Sequence, residues 1–258
     1  MKIFLDSGDV EETKQAIALL GFLDGQTTNP TLIAKNPATA GKKFTKEEIF
    51  SFYRSIVEQI SALIPNGSVS IEVYADKSTT ADEMFKQGKE MFSWIPNAHI
   101  KYSITKAGLE AAQKSIAEGM KVNMTLCFTQ EQAAAVYAAT LGAKKGAVFI
   151  SPFVGRLDDI GENGMDLVRN ILEMYRQGDG PSPRRSGLRP RGGGHVEVLT
   201  ASVRNLSHFL KAKSLGSDII TAPLKVLRQW AEQDFDINHE LTDVGIKRFS
   251  SDWNNLIK

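Results

Sequence analysis

The chain has 258 residues, of which 42% are apolar and 24% charged, and its formal net charge is +1. This length is ample for one large domain with a full core, and the near-zero charge provides no general attraction to nucleic acid or to an anionic membrane. No apolar run reaches the roughly 18 residues that a membrane span needs, and the single cysteine excludes both an intrachain disulfide and a cysteine-built zinc site. We therefore expect a soluble cytoplasmic protein without a nucleic-acid or membrane partner.

Short apolar runs alternate with longer amphipathic segments along the chain, which is typical of parallel strands joined by helices. Eight runs predict strands, at residues 2–5, 22–25, 69–73, 97–101, 121–126, 147–151, 196–200 and 218–221. Helices are predicted at residues 10–20, 46–63, 81–92, 106–118 with Thr105 as N-cap, 130–141, 164–176, 206–215 and from 223 onward, with a last helix at 242–257.

The strict alternation favours an α/β fold with a parallel sheet covered by helices. Eight strand–helix units favour closure into a (β/α)8 barrel, the TIM barrel, formed by a single domain over residues 1–258 with an extra C-terminal helix. An open doubly wound sheet is the alternative, but no G-x-G-x-x-G motif follows the first strand.

Residues 178–194 are rich in arginine, glycine and proline and have almost no apolar side chains, which predicts a flexible loop insertion. The segment joins a helix to the following strand, so in a barrel it would lie on the face opposite the active site. Its four arginines could also contact a polyanion, but no aromatic residues are interleaved with them.

Polar side chains stand where the predicted strands end, and in a barrel these ends meet at one rim. They are Asp6, Asn29, Glu72, Lys101, Asn123 with Thr125, Ser151 with Arg156, and Ser202 with Arg204. Any one of them is more often a cap or a turn former, but together they predict a polar pocket above an apolar barrel.

The residue types in this pocket indicate carbonyl chemistry. A neutral lysine attacks ketones and aldehydes to form a Schiff base, so Lys101 is the candidate nucleophile, with Asp6 and Glu72 as acid–base groups. Arg156 and Arg204 offer charged, forked donors for a phosphate, which implies a phosphorylated sugar as substrate. The imine itself is the electrophile, so we expect neither a metal nor a cofactor, and the four histidines have no metal-ligand spacing.

With these residues, nearly the whole chain resembles the small transaldolase family, close kin to fructose-6-phosphate aldolase among the Schiff-base class I aldolases. The matching stretches are Ile3-Phe4-Leu5-Asp6, Thr27-Thr28-Asn29-Pro30, Glu72, Ile100-Lys101, Asn123-Met124-Thr125-Leu126, Ser151-Pro152-Phe153-Val154-Gly155-Arg156, Ala201-Ser202-Val203-Arg204 and Pro223. The resemblance implies that Lys101 carries the Schiff base, Asp6 acts on the substrate hydroxyl, and Glu72 with Thr125 positions the catalytic water.

The resemblance also implies a set of substrate-binding residues. Asn29 and Asn123 would hold the dihydroxyacetone unit. The phosphate would be bound by Arg156, Ser202 and Arg204. The remaining substrate-binding residues are Thr28, Ser151 and Phe153.

Within the family, transaldolases carry glutamate and phenylalanine where the aldolases carry glutamine and tyrosine, and this chain has Glu72 and Phe153. We therefore expect transfer of dihydroxyacetone from sedoheptulose 7-phosphate to glyceraldehyde 3-phosphate. Two alternatives stay open: an aldolase that releases dihydroxyacetone, and a catalytically weakened barrel that binds a partner through its basic segment.

Two further expectations come from the resemblance. The family usually has proline two residues after the lysine, whereas this chain has Ser103, which predicts a looser corner and reduced activity. Small transaldolases assemble into rings or decamers through the C-terminal helix, where this chain offers Phe249, Trp253, Leu256 and Ile257 as an interface. The same apolar stripe could instead pack on its own barrel.

Overall fold

The computed structural model describes residues 1–178, 194–232, 240–254 and 256, and its strands form one closed barrel. Consecutive strands pair in parallel, and the last strand pairs with the first. The strands are β1 Lys2–Asp6, β2 Gly25–Thr27, β3 Ser68–Glu72, β4 Ala98–Ser103, β5 Val122–Cys127, β6 Val148–Pro152, β7 Val196–Thr200 and β8 Ile219–Ala222. The architecture is an α/β (β/α)8 barrel, so the predicted fold class is confirmed.

Helices surround the barrel, and an additional helix follows the last strand–helix unit. They are α1 Val10–Leu20, α2 Pro30–Ala34, α3 Lys46–Leu63, α4 Ala81–Phe92, α5 Lys106–Ala117, α6 Gln130–Ala139, α7 Val154–Asp158, α8 Gly164–Gly178, α9 Leu206–Leu215, α10 Leu224–Ala231 and α11 Glu240–Asn254. Thr105 is the N-cap of α5, as predicted, and its side chain accepts a hydrogen bond from Gly108 N at 3.0 Å. This cap starts α5 directly after β4, the strand that carries Lys101.

The predicted position of the second strand was wrong. Phe22 is 46% exposed, and the strand is instead Gly25–Thr27, whose side chains are small or polar. Gln26 is fully buried because its amide donates to Ser7 O at 2.8 Å and accepts from Thr13 Oγ1 at 2.8 Å. A hydropathy pattern does not detect a strand whose buried polar groups are paired in this way.

Two short helices, α2 and α7, were not predicted as separate elements. Most of the predicted insertion, residues 179–193, lies outside the described residues, between the end of α8 and the start of β7. Among the described residues, no helix combines the length and the apolar composition that crossing a membrane requires.

An apolar cluster of Phe4, Phe149, Leu199, Ala201 and Ile219 lies inside the barrel. The rings of Phe4 and Phe149 meet edge to face, with centroids 5.9 Å apart. Phe153, which follows β6, packs against this cluster, so the apolar interior reaches the C-terminal ends of the strands, where the polar side chains lie.

Candidate active site

Lys101 and Glu72 form an ion pair at the C-terminal rim. The two residues are direct neighbours in the β3–β4 register, and Lys101 Nζ lies 2.8 Å from Glu72 Oε2. The Lys101 side chain is 4% exposed and that of Glu72 15%. Lys101 Nζ also donates to the backbone oxygen of Thr28 at 3.2 Å. A buried ammonium needs such partners because few waters can reach it, and together they fix the direction of its nitrogen.

Asp6 ends β1 and is held by Thr27, its neighbour in the β1–β2 register. Thr27 Oγ1 donates to Asp6 Oδ1 at 2.7 Å and lies 2.6 Å from Thr221 Oγ1. Burial raises the pKa of the Asp6 carboxyl, although the hydrogen bond from Thr27 and the positive charge of Lys101 act in the opposite direction. A carboxylate with a raised pKa is a stronger base, which suits proton abstraction from a hydroxyl. Thr27 was not among the predicted site residues.

Asn123 and Ser151, both predicted, are joined on neighbouring strands. Ser151 Oγ donates to Asn123 Oδ1 at 2.7 Å, and Asn123 Nδ2 donates to Ser70 Oγ at 3.0 Å. All three side chains are buried. Asn123 is also the register neighbour of Lys101, so this amide is held beside the lysine. Ser70 carries no signal in the sequence, because a serine inside a strand resembles an ordinary polar strand residue.

Thr125 lies one inward-facing position above Asn123 on β5. Its hydroxyl is buried and, within the described part of the chain, Oγ1 makes no hydrogen bond. An unpaired buried hydroxyl is rare in proteins, so Thr125 keeps a hydrogen-bonding capacity that no described protein group uses.

The side chains of Thr28 and Asn29 make hydrogen bonds to neighbouring parts of the protein. The Thr28 hydroxyl donates to Ser70 O at 2.7 Å and contacts Tyr53 OH on α3, so it points behind the strand, and only the Thr28 carbonyl touches Lys101. Asn29 caps α2, and its Oδ1 accepts from Leu32 N at 2.9 Å.

The loops after β6 and β7 are locked together by backbone hydrogen bonds. Val154 N donates to Ala201 O and Gly155 N to Ser202 O, each at 3.1 Å. A Cβ on Gly155 would lie only 2.4 Å from Ser202 O, so this approach requires glycine. Ser202 itself has φ 58°, an uncommon value for serine that is often found at functional sites. These hydrogen bonds hold the loop that carries Phe153 and Arg156 against the loop that carries Ser202 and Arg204.

Both arginines of this region are exposed and have protein partners. Arg204 Nη2 lies 2.6 Å from Asp159 Oδ2, and the Arg156 guanidinium lies 5.8 Å from the ring centroid of Phe153. His208 Nε2 lies 2.9 Å from Asp158 Oδ2. An anion that binds here must therefore compete with Asp159 for Arg204. Asp159 was not among the predicted site residues, since an acidic residue is not expected where a phosphate site is predicted.

Metal ligation has no candidate among the residues that the structure describes, because no three His, Cys, Asp or Glu side chains cluster suitably. His99 is buried and stacks on Phe149 with ring centroids 4.1 Å apart. Burial lowers the pKa of His99 to about 3, so it is neutral at physiological pH.

Comparison with solved structures supports the fold alone. KGPDC from Streptococcus mutans has a TM-score of 0.50 and 14% identity, over 90% of this chain and 95% of that protein. Thiamine phosphate pyrophosphorylase from Pyrococcus furiosus has a TM-score of 0.50 and 13% identity, over 88% of this chain and 92% of that one.

Comparison with curated sequences is much closer. Probable transaldolases from Dehalococcoides mccartyi and Myxococcus xanthus are 41% and 40% identical over 258 residues, covering this whole chain and 100% and 96% of theirs. A probable transaldolase from Thermus thermophilus is 38% identical over 99% of both chains. The model of the Transaldolase/Fructose-6-phosphate aldolase family matches residues 3–258. The chain therefore belongs to the transaldolase/fructose-6-phosphate aldolase family.

Proposed function

We propose that this protein is a transaldolase that moves a dihydroxyacetone unit from sedoheptulose 7-phosphate to glyceraldehyde 3-phosphate. The products are erythrose 4-phosphate and fructose 6-phosphate, and the unit is carried as a Schiff base on Lys101. The observation that carries the proposal is the ion pair between Lys101 and Glu72 at the rim of the barrel, with 2.8 Å between Nζ and Oε2 and both side chains largely buried. It gives the amine a proton acceptor beside it and little competing water.

Imine formation begins when Glu72 takes a proton from the Lys101 ammonium. The neutral amine attacks the C2 carbonyl of the donor sugar, and the carbinolamine loses its hydroxyl as water after a proton is returned to it. The unpaired Thr125 hydroxyl supports this step, since it offers a hydrogen bond to the water that relays the proton. The iminium then withdraws electrons from the neighbouring carbon.

Bond cleavage needs a base at the C4 hydroxyl of the donor, and Asp6 is suited to it. Asp6 takes the hydroxyl proton, the C3–C4 bond breaks, and its electron pair forms an enamine on Lys101 while erythrose 4-phosphate leaves. The raised pKa of Asp6 favours this proton transfer. In the second half-reaction the enamine attacks the aldehyde of glyceraldehyde 3-phosphate, and Asp6 returns its proton to the new hydroxyl. Water then adds to the resulting iminium, and the carbinolamine breaks down to release fructose 6-phosphate and the free Lys101 amine.

Transfer rather than release depends on how long the enamine survives. Phe153 packs at the end of β6, with its ring 6.0 Å from that of Phe128, and it has no hydroxyl to protonate the enamine carbon. The intermediate therefore waits for an acceptor aldehyde. Ser202, Arg204 and Arg156 bind the phosphate at the far end of the sugar.

We also propose that the protein acts in the cytoplasm and assembles with further copies of itself through α11. Phe249 is 73% and Trp253 66% exposed, so this apolar stripe is not covered by the protein's own barrel. An exposed face of this kind suits self-association better than solvent. Ile257, the fourth residue predicted for the interface, lies outside the described residues.

A coupled assay with sedoheptulose 7-phosphate and glyceraldehyde 3-phosphate tests the activity. The wild type should form erythrose 4-phosphate and fructose 6-phosphate, and Lys101→Met should not. Lys121→Met removes an exposed lysine from the opposite end of β5 and should leave transfer intact. Free dihydroxyacetone from fructose 6-phosphate alone would instead identify an aldolase, and inactivity with both substrates would favour a binding protein.

A further inference from the structure

The hydrogen-bond ladder between β2 and β3 changes partners directly beside Lys101. Thr28 N donates to Ser70 O at 3.1 Å, which is a regular rung of a parallel pair. The next rung would run from Glu72 N to the Thr28 carbonyl oxygen. Instead, Glu72 N donates to Tyr53 OH at 3.0 Å, and the Thr28 carbonyl accepts from Lys101 Nζ at 3.2 Å.

Tyr53 reaches this position from the inner face of α3. It is buried, and its ring meets Trp94 edge to face with centroids 6.2 Å apart. The Tyr53 hydroxyl lies within hydrogen-bonding distance of both Glu72 N and Thr28 Oγ1. The Thr28 hydroxyl donates its own proton to Ser70 O at 2.7 Å. Tyr53 must therefore donate to Thr28 and accept from Glu72, so both of its hydrogen-bonding functions are used.

We propose that Tyr53 is a positioning residue for Lys101. Its hydroxyl replaces one rung of the ladder and thereby leaves the Thr28 carbonyl free to orient the lysine nitrogen. It also anchors the backbone of Glu72, whose carboxylate is the other partner of Lys101. The inference rests on the proposed function, because the orientation of the Lys101 amine affects the reaction rate only if that amine reacts with a substrate carbonyl.

The consequence of losing this hydroxyl follows from the same geometry. Without Tyr53 OH, Glu72 N has no acceptor unless it takes the Thr28 carbonyl and completes the ladder. That change would withdraw one of the two partners that direct Lys101. Reactions between positioned groups are sensitive to displacements of about 1 Å, so imine formation should slow even though every catalytic side chain is present.

Tyr53→Phe is the direct test, and Tyr175→Phe is its matched control. Tyr175 is also buried, and its hydroxyl donates to Ala133 O at 2.9 Å, between outer helices and away from the rim. Both variants should lower the melting temperature. Only Tyr53→Phe should slow the formation of the borohydride-trapped imine with fructose 6-phosphate, by roughly tenfold, while KM changes by less than about twofold.

A double variant separates positioning from general destabilisation. Thr28→Val removes the hydroxyl that accepts from Tyr53, so Tyr53→Phe combined with Thr28→Val should be no slower than the slower single variant. Independent, additive losses would overturn the proposal. A wild-type rate of imine formation in Tyr53→Phe would overturn it as well.

Crystal structures of the wild type and Tyr53→Phe decide the point without relying on activity. The proposal expects the Glu72 N to Thr28 O rung to form in the variant and the Lys101 contact with Thr28 to be lost. A retained contact would refute the positioning role. An absence of any imine in the wild type would instead refute the proposed function, so the two failures are distinguishable.

Discussion

Lys101 and Glu72 are neighbours across β3 and β4, and their side chains form a contact of 2.8 Å that is almost closed to solvent. Charges buried together lose hydration, and the loss is offset only when each keeps a well-placed partner. Removing either member of the pair should therefore destabilise the folded protein. The same contact places the Glu72 carboxylate where the proposed mechanism needs a proton acceptor for Lys101.

Glu72→Gln keeps the shape of the side chain but removes its charge. We expect the free energy of unfolding to fall by about 3 kcal/mol, since the buried Lys101 ammonium loses its ion-pair partner. Imine formation should slow by roughly a hundredfold, as is typical for loss of an acid–base group. Denaturant unfolding and single-turnover trapping measure the two effects.

Glu197→Gln is the control for this variant. It breaks the ion pair with Lys2 at 3.0 Å, at the opposite end of the barrel. Stability should fall slightly while imine formation keeps the wild-type rate. Equal kinetic effects in the two variants would contradict a specific role of Glu72.

Asp6→Asn should stabilise the protein while it impairs the reaction. Burial raises the pKa of Asp6 from 3.8, so the folded state holds this proton more tightly than the unfolded chain does. As the pH rises above 3.8, ionisation of Asp6 therefore lowers the stability of the folded state. Asparagine cannot ionise, so the substitution removes this loss of stability. We expect the variant to be more stable than the wild type at pH 7 but not below pH 3.8, with transfer slowed by roughly a hundredfold or more.

Asp76→Asn is the control of opposite sign. Hydrogen bonds from Ser78, followed by Thr79, lower the pKa of Asp76 to about 2, so its ionisation favours the folded state. This variant should be less stable than the wild type at pH 7, and the difference should vanish as the pH falls through 2. If both substitutions shift stability in the same direction at pH 7, the assignment for Asp6 is wrong.

The regular features of the fold could be predicted from the sequence, because alternating apolar runs and helical segments leave few arrangements other than a barrel. The second strand could not be located, since Gln26 and Thr27 are buried by specific hydrogen bonds rather than by hydrophobicity. The helix α7 was missed because it has only five residues, Val154–Asp158, and no side-chain cap.

Lys101, Asp6 and Glu72 could be singled out in the sequence because their residue types are chemically distinctive, and the structure brings them close together. A residue whose proposed role depends on its orientation could not be singled out in this way. Tyr53 has the spacing of a core residue on an amphipathic helix, and only the structure brings its hydroxyl to Glu72 N. Thr28 was expected to bind substrate, but its hydroxyl points away from the rim and its carbonyl faces Lys101.

Arg204→Ala tests the phosphate site. The guanidinium is expected to contact the phosphate, so KM for fructose 6-phosphate should rise by roughly tenfold to a hundredfold, the usual effect of losing hydrogen bonds to a charged group. KM for unphosphorylated fructose should not change. Arg228→Ala, which removes an exposed partner of Glu232 on α10, is the control and should leave both values unaltered. A parallel rise for both sugars would show that Arg204 has only a structural role.

Phe153→Tyr should shift the enzyme from transfer toward cleavage. The added hydroxyl can protonate the enamine, so release of free dihydroxyacetone from fructose 6-phosphate should increase at least roughly tenfold. Phe128→Tyr adds the same group to the neighbouring ring and should not change the partition. Unchanged release in Phe153→Tyr would mean that this ring does not control the fate of the intermediate.

Ser103→Pro should raise turnover by roughly two- to fivefold, because proline fixes the backbone at the corner that aims Lys101. Ser103 is the last residue of β4 and is in register with Thr125. Steady-state kinetics and the melting temperature should be compared with those of the wild type. An equal or lower turnover in a folded variant would argue against a loosened corner.

The central claim is that Lys101 forms the covalent intermediate. Borohydride reduction in the presence of fructose 6-phosphate, followed by whole-protein mass measurement and peptide mapping, tests it most directly. We predict a single adduct on Lys101 in the wild type and none in Lys101→Met. A wild-type protein without an adduct, or with its adduct on another lysine, would contradict the mechanism.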